Sequence, residues 1–352
     1  MKAGIAGAGI MGQLMAYHLV NEGWEVTVYD QANGMNCSAA AAGMLTPIAE
    51  LEKSDWMIYT MGRASLSVHW PEILAQLQQD IYFKTTGTLL LAHPRDDQEL
   101  QRYVNLISAK LNSADEIHYL NDAAIRLLEP ELAKFNQAYY LQNEGQIDSQ
   151  QVMRVLSAYL SERGVNFIQQ AVTQLSPGRI ELQDRYDAYD LVFDCRGMGA
   201  KKVFADLRGL RGELVWLHAP DINISRPIRF LHPRYGLYVV PRPHGIYLLG
   251  ASEIEAEDYS DVSVRTVLEL LTAANYMHAG FLEARIIKTA AQCRPTLRHH
   301  RPEVQAASGL ISINGLHRHG FLIAPALAHE VMAWVNSGVK NSEYLQLWEQ
   351  AA

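Results

Sequence analysis

Apolar and polar positions fall in blocks along this chain, and the first thirty residues show the pattern most plainly. KAGIAG reads as a short apolar strand running into glycines. MGQLMAYHLVNEG follows with Leu14, Met15, His18 and Leu19 at helical spacing and Gly23 as a stop. EVTVYD, rich in β-branched residues, predicts a second strand ending at Asp30. Further on, Ala49 to Leu77 and Arg95 to Leu111 predict helices, the first with apolar faces at Trp56, Tyr59, Met61 and Trp70. DIYFKTTGTLLLAH predicts a strand pair with Gly87 at its turn, and EGQID (Glu144 to Asp148) predicts a turn. SQQVMRVLSAYLSERG has the period of an amphipathic helix, VNFIQQAVTQL reads as a strand, and DLVFDCRG reads as a buried strand entering Gly197. Gly209 to Leu217, Gly236 to Arg242 and Gly245 to Ser252 predict successive strands, the last two a hairpin around Pro243, His244 and Gly245. Asp261 to Ala279 predicts a helix. The chain closes on GLISINGLHRHGFLIAPALAHEVMAWVNSG as strand, glycine loop and a helix beginning near Pro325.

The order of these elements matters more than any one of them. Dinucleotide-type β and α elements occur at 1–45, 145–200 and 305–340, with antiparallel strands between. A simple NAD dehydrogenase keeps its nucleotide unit contiguous, whereas this interleaving suits a flavoprotein with a separate substrate sheet. The expected fold class is α/β, a Rossmann-like cofactor domain built from 1–79, 144–205 and 289–352. An antiparallel-sheet α+β substrate domain is expected from 80–143 and 206–288.

The 352 residues, 49% of them hydrophobic, suffice for two domains. Thirty basic against thirty-eight acidic residues give a net charge of −8, which argues against a nucleic-acid partner. No apolar run reaches the length of a membrane span, and with a strand starting within two residues of the first Met no signal peptide or Arg-rich presequence is expected. Cys37, Cys195 and Cys293 lack metal-type spacing and are expected as reduced, buried thiols of a cytoplasmic enzyme.

Gly7, Gly9 and Gly12 form G-x-G-x-x-G between strand and helix. The three glycines serve a tight turn, the approach of a pyrophosphate, and close packing of helix on strand. The helix start offers free N–H groups and partial positive charge to phosphates. Asp30, 18 residues after Gly12, can accept hydrogen bonds from an adenosine ribose. An acid there disfavours NADP but does not separate NAD from FAD. The run SAAAAGMLTP (Ser38 to Pro47) does separate them. Its small side chains let a flavin approach the backbone, with Met44 and Leu45 to wall the ring, and a nicotinamide enzyme has no need of it.

Seven segments in one order then carry a resemblance: GAGIMG with Asp30, SAAAAGMLTPIAELE, TTGTLLLAH, EGQID, YVVPRPHGIYLLGAS, Arg294-Pro295, and GLHRHGFLIAPA. The chain resembles the D-amino-acid-oxidase superfamily of FAD enzymes, and within it the glycine oxidases of the thiamin-pathway type. The resemblance implies non-covalent FAD and oxidation of a small amine such as glycine or sarcosine by O2, with H2O2 as product. It sets Ile10 and Met11 at the pyrophosphate loop and Asp30 with Gln31 at the adenosine ribose. Cys37, Ser38, Ala42, Gly43 and Met44 fall on the flavin-lining segment. Val172 falls at adenine, and Leu316, His317, Arg318, His319, Gly320, Phe321 and Leu322 beside the isoalloxazine. It implies that Arg294 holds the substrate carboxylate, that Arg318 is a second active-site arginine, and that Tyr238 faces the substrate.

These assignments agree with elementary chemistry. An arginine fork grips a carboxylate bidentately, and Pro295 stiffens the backbone after Arg294. A helix N-terminus after HRHG places partial positive charge where a reduced flavin needs it. An amine that binds neutral requires no dedicated base. The chain also departs from the family. Gln292 replaces a glycine, TLRHHRPEVQ replaces an Asp-Gly-x-Pro segment, and Arg196 replaces a small residue. The positive charge of His299, His300 and Arg301 suits a more acidic substrate. His299-His300 and His317-x-His319 could meet as a metal cluster, but the neighbouring arginines repel a cation, so no metal is expected. Two other functions stay open. One is an amino-acid dehydrogenase passing electrons to a quinone or protein, and the other a flavin-binding subunit with little turnover. Homo-oligomerisation is also left open.

Overall fold

The computed structural model describes residues 1–31, 36–111, 114–232 and 236–348. Lys2–Ala6 lies inside a six-stranded sheet, in parallel register with Glu25–Tyr29 on one side and Leu191–Asp194 on the other. Asn166–Ile168 extends the sheet beyond Glu25–Tyr29. Leu310–Asn314 and the antiparallel edge strand Glu303–Ala307 extend it beyond Leu191–Asp194. The inner strands are mostly apolar because both faces are covered, with charge only at their ends (Lys2, Glu25, Asp194). Leu14, Leu156 and Leu327, from helices Ile10–Asn21, Ser149–Glu162 and Gly320–Ser337, share a core with Ile5 and Phe193. On the other face Ile180 and Leu182 of a small three-stranded meander cover Val192 and Tyr29. Each such fully buried side chain contributes about 1.5–3 kcal/mol.

The second sheet has eight strands, in the order Arg285–Thr296, Arg208–His218, Ile246–Gly250, Leu237–Arg242, Ile228–Leu231, Thr88–Ala92, Gln137–Leu141 and Ile117–Asn121. All its pairs are antiparallel except Ile228–Leu231 with Thr88–Ala92. Helix Val264–Met277 packs on it through Leu270, Ala274 and Met277. Arg285–Thr296 runs without a break through residue 289, so Arg294 is presented from the edge of this outer sheet.

Several expectations are corrected. Phe83–Lys84 and Thr88–Ala92 are not a pair: the first joins Gly145–Ile147, the second the eight-stranded sheet. EGQID is therefore a strand rather than a turn, pairing Met44–Leu45 on one edge and Phe83–Lys84 on the other. The stretch 49–77 breaks into Pro47–Glu50, Trp56–Ala64, a π-helical turn Ser65–His69, and Trp70–Leu77. VNFIQQAVTQL splits into Asn166–Ile168 and Gln174–Ser176, in different sheets.

The last helix starts at Gly320, and Pro325 lies inside it. Proline lacks the N–H that would bond the Phe321 carbonyl. The indole Nε1 of Trp70 donates to that carbonyl instead, at 2.9 Å, so the helix passes the proline without a buried orphan. The expected cofactor segments reach past residue 348 only in their last four residues, which lie outside the described chain.

Candidate active site

A cavity of about 1330 Å³ runs between the two sheets. It exceeds the usual 300–1,000 Å³ of a small-ligand pocket, as an extended dinucleotide requires. At one end are Gly7, Gly9, Ile10, Met11, Asp30 and Gln31. Gly7 has φ +102°, and a Cβ on it would strike the Cys195 carbonyl. Gly12 does not line the cavity; a Cβ there would strike the Gly7 carbonyl, so its part is to let the helix meet the strand. Asp30 Oδ2 accepts the Ala8 N–H at 2.5 Å, which holds the carboxylate at the strand end beside the helix start. Burial raises its carboxyl above the ordinary value, offset in part by that hydrogen bond.

The alanine-rich segment is bolted in place. Asn36 caps the short helix Cys37–Ala40 through the Ala39 N–H, and Ser38 Oγ accepts the Ile10 N–H at 2.9 Å. Ser38 thus satisfies a donor of the nucleotide helix that no local cap reaches. The carbonyls behind are also taken. Gln150 donates to Ala39 at 3.3 Å, Ser149 to Ala41 at 2.5 Å, Arg242 to Ala42 at 2.5 Å, and the Ile147 N–H to Gly43 at 2.8 Å. Gly43 has φ +69°, and a Cβ would meet the Ile147 carbonyl. With these carbonyls held from behind, Cys37, Ser38, Ala42, Gly43 and Met44 present small, largely apolar surface to the cavity. Cys37 Sγ donates to the Cys293 carbonyl at 2.8 Å, and burial pushes its thiol up to about 12. Leu45, expected to wall the ring, is fully buried and does not line the cavity.

Leu316 to Leu322 form the facing wall. His317 adopts φ +50°; its N–H bonds the Pro295 carbonyl and its Nδ1 meets Thr296 Oγ1, both at 3.0 Å. Burial, with His319 and the nearby arginines, drives its ring well below the ordinary histidine range, so it is neutral. His319 is 3% exposed and also neutral, chiefly because it is buried. Its Nε2 bonds Glu50 at 2.9 Å while its buried Nδ1 has no protein partner. The N-terminus of helix Gly320–Ser337 opens into the same wall.

The far end is built on the outer sheet. Leu210, Gly212 and Leu214 face the cavity from Arg208–His218, and Leu210 pairs with Arg294 across the ladder. The Arg294 guanidinium lies over Gly212, where a Cβ would exclude it, and Nη1 donates to the Ser252 carbonyl at 3.2 Å. Tyr238 also lines the cavity; burial raises its phenol despite nearby Arg294 and Arg229, so it remains a donor. Arg318 donates to Glu50 at 2.6 Å and Glu253 at 3.2 Å.

Glu50 and Arg229 were not foreseen from sequence. Glu50, 7% exposed, accepts from Arg229 at 2.7 Å as well as from Arg318 and His319. Burial would raise its carboxyl, but these three hold it well below the ordinary carboxylate range. Behind it, wholly buried Glu144 accepts the Ala49 N–H at 2.6 Å, its other oxygen unpartnered, and burial pushes its carboxyl up to about 7.

The departures in sequence resolve here. Arg196 lines the cavity but its charge is answered by a bidentate fork on buried Asp194, at 2.8 and 2.7 Å. His299, His300 and Arg301 do not line the cavity, so the extra charge expected from them is absent there. His300 bonds Arg208 at 2.8 Å, and Arg301 bonds Gln346 at 2.8 Å. Among the described residues no group of histidines, cysteines and acids could hold a metal, and no helix is long and apolar enough to cross a membrane. Val172, expected at adenine, packs against the buried cluster of Tyr29, Ile180, Leu182 and Val192 and does not line the cavity. Every other expected site residue apart from Gly12 does.

The glycine cradle, the acid at the strand end, the small-residue wall and the orphan His319 Nδ1 together fit FAD. Comparisons with known proteins agree. The chain is 35% identical over 334 residues to the "Putative thiamine biosynthesis oxidoreductase ThiO" of Rhizobium etli, covering 94% of this chain and 95% of the relative. The crystal structure of glycine oxidase from Geobacillus kaustophilus superposes with a TM-score of 0.83 at 20% identity, covering 99% of this chain and 98% of that one. Iminodiacetate oxidase from Chelativorans sp. BNC1 gives 0.82 at 23% identity, covering 97% and 96%. The family model described as "FAD dependent oxidoreductase" (DAO) matches residues 2–334, and the chain belongs to that family.

Proposed function

We propose that this enzyme oxidises a small amino acid or amine (glycine, sarcosine or a small D-amino acid) to the imine, with O2 reduced to H2O2. The substrate loses two electrons and two protons, O2 gains both, and water then hydrolyses the imine to the 2-oxo acid and the amine or ammonia. FAD, when bound, supplies the two-electron acceptor. One observation carries the reading: Arg294 and Tyr238 project from one face of the outer sheet into the cavity whose other wall is 42–44 and 316–322. Arg294 takes the carboxylate, a charge-assisted contact of about 1.5–3 kcal/mol. The protonated phenol of Tyr238 donates a second hydrogen bond and orients the substrate. The half-buried guanidinium groups of Arg294 and Arg318 disfavour an ammonium, so the amine binds neutral and no side chain need serve as base. The helix start at Gly320 favours negative charge at its end of the cavity. The ThiO relative and the likeness to glycine oxidase and iminodiacetate oxidase support a small amine substrate. The reading places the reaction in the cytoplasm.

The test is anaerobic mixing of the FAD-loaded protein with glycine, sarcosine and small D-amino acids, followed by air or a quinone. Loss of oxidised-flavin absorbance with at least one of them, reversed rapidly by air, is expected. A flavin that stays oxidised with all of them sinks the substrate assignment and leaves a binding subunit. Reoxidation by quinone alone makes the protein a dehydrogenase.

A further inference from the structure

His317 is held from one side and left free on the other. Its backbone takes φ +50°, a left-handed conformation uncommon for a side chain of its size. Such a conformation persists where the surroundings fix it, and the His317 N–H bonds the Pro295 carbonyl at 3.0 Å. The ring is fixed from the same side. Its Nδ1 meets Thr296 Oγ1 at 3.0 Å, and that hydroxyl meets the Arg294 carbonyl at 3.1 Å. A hydroxyl has one proton to give, and a carbonyl has none. Both contacts are satisfied when Oγ1 donates to the carbonyl and Nδ1–H donates to Oγ1. Nδ1 therefore carries the proton of the neutral ring, and Nε2 is an acceptor.

No described residue bonds Nε2, and unlike His319 Nδ1 it is not sealed inside the protein. Thr296, at the other edge of the ring, is wholly buried, while His317 lines the cavity, so the open edge belongs to the cavity. The ring is braced as well, with His300 at 4.8 Å and His319 at 5.5 Å between centroids. Arg294 and Arg318 lie near enough to act on its charge. Those arginines and the Tyr238 phenol offer donors, and Glu50 and Glu253 are committed to arginine, histidine and lysine partners. A neutral amine whose carboxylate sits on Arg294 brings N–H groups that need an acceptor. Nε2 is one, tied through Thr296 to the backbone of Arg294 itself.

Resting on the proposed amine oxidation, we infer that His317 Nε2 accepts an N–H of the substrate amine and so fixes the rotation of the amine about its bond to the reacting carbon. The site then selects by nitrogen substitution. Primary and secondary amines carry the hydrogen that Nε2 needs, whereas a tertiary amine sets one lone pair against another.

The test measures anaerobic flavin reduction by glycine, sarcosine and N,N-dimethylglycine, and binding of acetate, which offers the carboxylate alone, by perturbation of the flavin spectrum. In the wild type, rate over half-saturating concentration should be at least ~10-fold higher for sarcosine than for dimethylglycine. His317→Phe keeps a ring but no acceptor. It should lower that quantity for glycine and sarcosine by at least ~5-fold and narrow the gap to dimethylglycine, while acetate binds within ~2-fold of wild type. A structural role for the ring would weaken acetate equally. His317→Gln, whose amide oxygen reaches toward the Nε2 position, should recover part of the loss. Thr296→Val unties Nδ1 and frees the tautomer; it should lie between, and it serves if the phenylalanine variant fails to fold. Dimethylglycine matching sarcosine in the wild type overturns the inference, as does a phenylalanine variant that keeps its glycine kinetics or loses acetate in step with glycine. In each of these cases an amine still reduces the flavin, and this inference alone fails. If no amine does, the amine-oxidase reading fails with it.

Discussion

Replacing Glu50 with glutamine tests whether this carboxylate organises the substrate end of the cavity. Glutamine keeps the shape and one acceptor oxygen, but it removes the charge and turns an NH2 toward groups that already donate. Breaking an exposed pair would cost under about 1 kcal/mol, whereas removing one partner of a buried pair costs about 3–5 kcal/mol. The side chains of Arg229 and Arg318 are 15% and 19% exposed, and Arg318 keeps Glu253 at 3.2 Å. The low end therefore applies, about 3 kcal/mol. At roughly 2 °C per kcal/mol for a large chain, Tm should fall by about 6 °C. The gap also depends on pH. Because the folded carboxyl is held below its ordinary value, its stabilisation is complete above the unfolded value near ~4.3. It is lost as pH falls through the folded value. Thermal unfolding of the FAD-bound wild type and variant from pH 8 to 3.5 should show a constant gap that narrows only in acid. A Tm within ~1 °C of wild type at pH 7, or a gap that persists unchanged in acid, refutes the reasoning.

Other expectations follow from the same structure. Glu144 is the reverse case: its raised carboxyl makes the folded state lose stability as pH climbs from the unfolded value to about 7. Glu144→Gln should therefore stabilise the protein at pH 8, by up to ~3 kcal/mol, and by little below pH ~4, measured by denaturant unfolding; equal effects at both would contradict this. Gly43→Ala forces a left-handed alanine costing about 1–2 kcal/mol against the Ile147 carbonyl. FAD affinity, followed by flavin fluorescence, should weaken at least ~10-fold. Trp70→Phe strands the Phe321 carbonyl and should cost about 1–3 kcal/mol. Pro325→Ala supplies a new N–H for that carbonyl, so the loss should shrink in the double variant, and simple additivity would argue otherwise.

What the sequence revealed depended on how far each signal reached. Lys2–Ala6, Glu25–Tyr29 and Leu191–Asp194 were legible because strands covered on both faces are mostly apolar or β-branched, and their charged residues sit at the strand ends. The hairpin of Leu237–Arg242 and Ile246–Gly250 was legible from its Pro-His-Gly turn. Gly145–Ile147 was not, since three residues carry no measurable period and its partners Met44–Leu45 and Phe83–Lys84 are distant in sequence. Among functional groups, motif-bound residues such as Asp30 and Gly43 could be found. Glu50, Arg229 and Arg242 could not. Glu50 and Arg229 meet across 179 positions, and Arg242 reaches Ala42 across 200. Only a PIAELE segment buried against the outer sheet makes Glu50 a shared acceptor, and ordinary surface carboxylates look the same in sequence. The histidine-rich stretch misled in the opposite sense: His300 and Arg301 bond Arg208 and Gln346 away from the cavity, and burial lowers the His300 ring further from its charged form.

The central claim is that a flavin amine oxidase holds its substrate carboxylate at Arg294. Single-turnover flavin reduction, anaerobically, in wild type and Arg294→Ala tests it most directly. The account predicts bleaching of the wild-type flavin by a small amino acid. In the variant, which still binds FAD, the concentration giving half-maximal rate should rise at least ~10-fold, the loss of about 1.4 kcal/mol or more. Indistinguishable concentration dependence in the two proteins would place the carboxylate elsewhere and contradict the account.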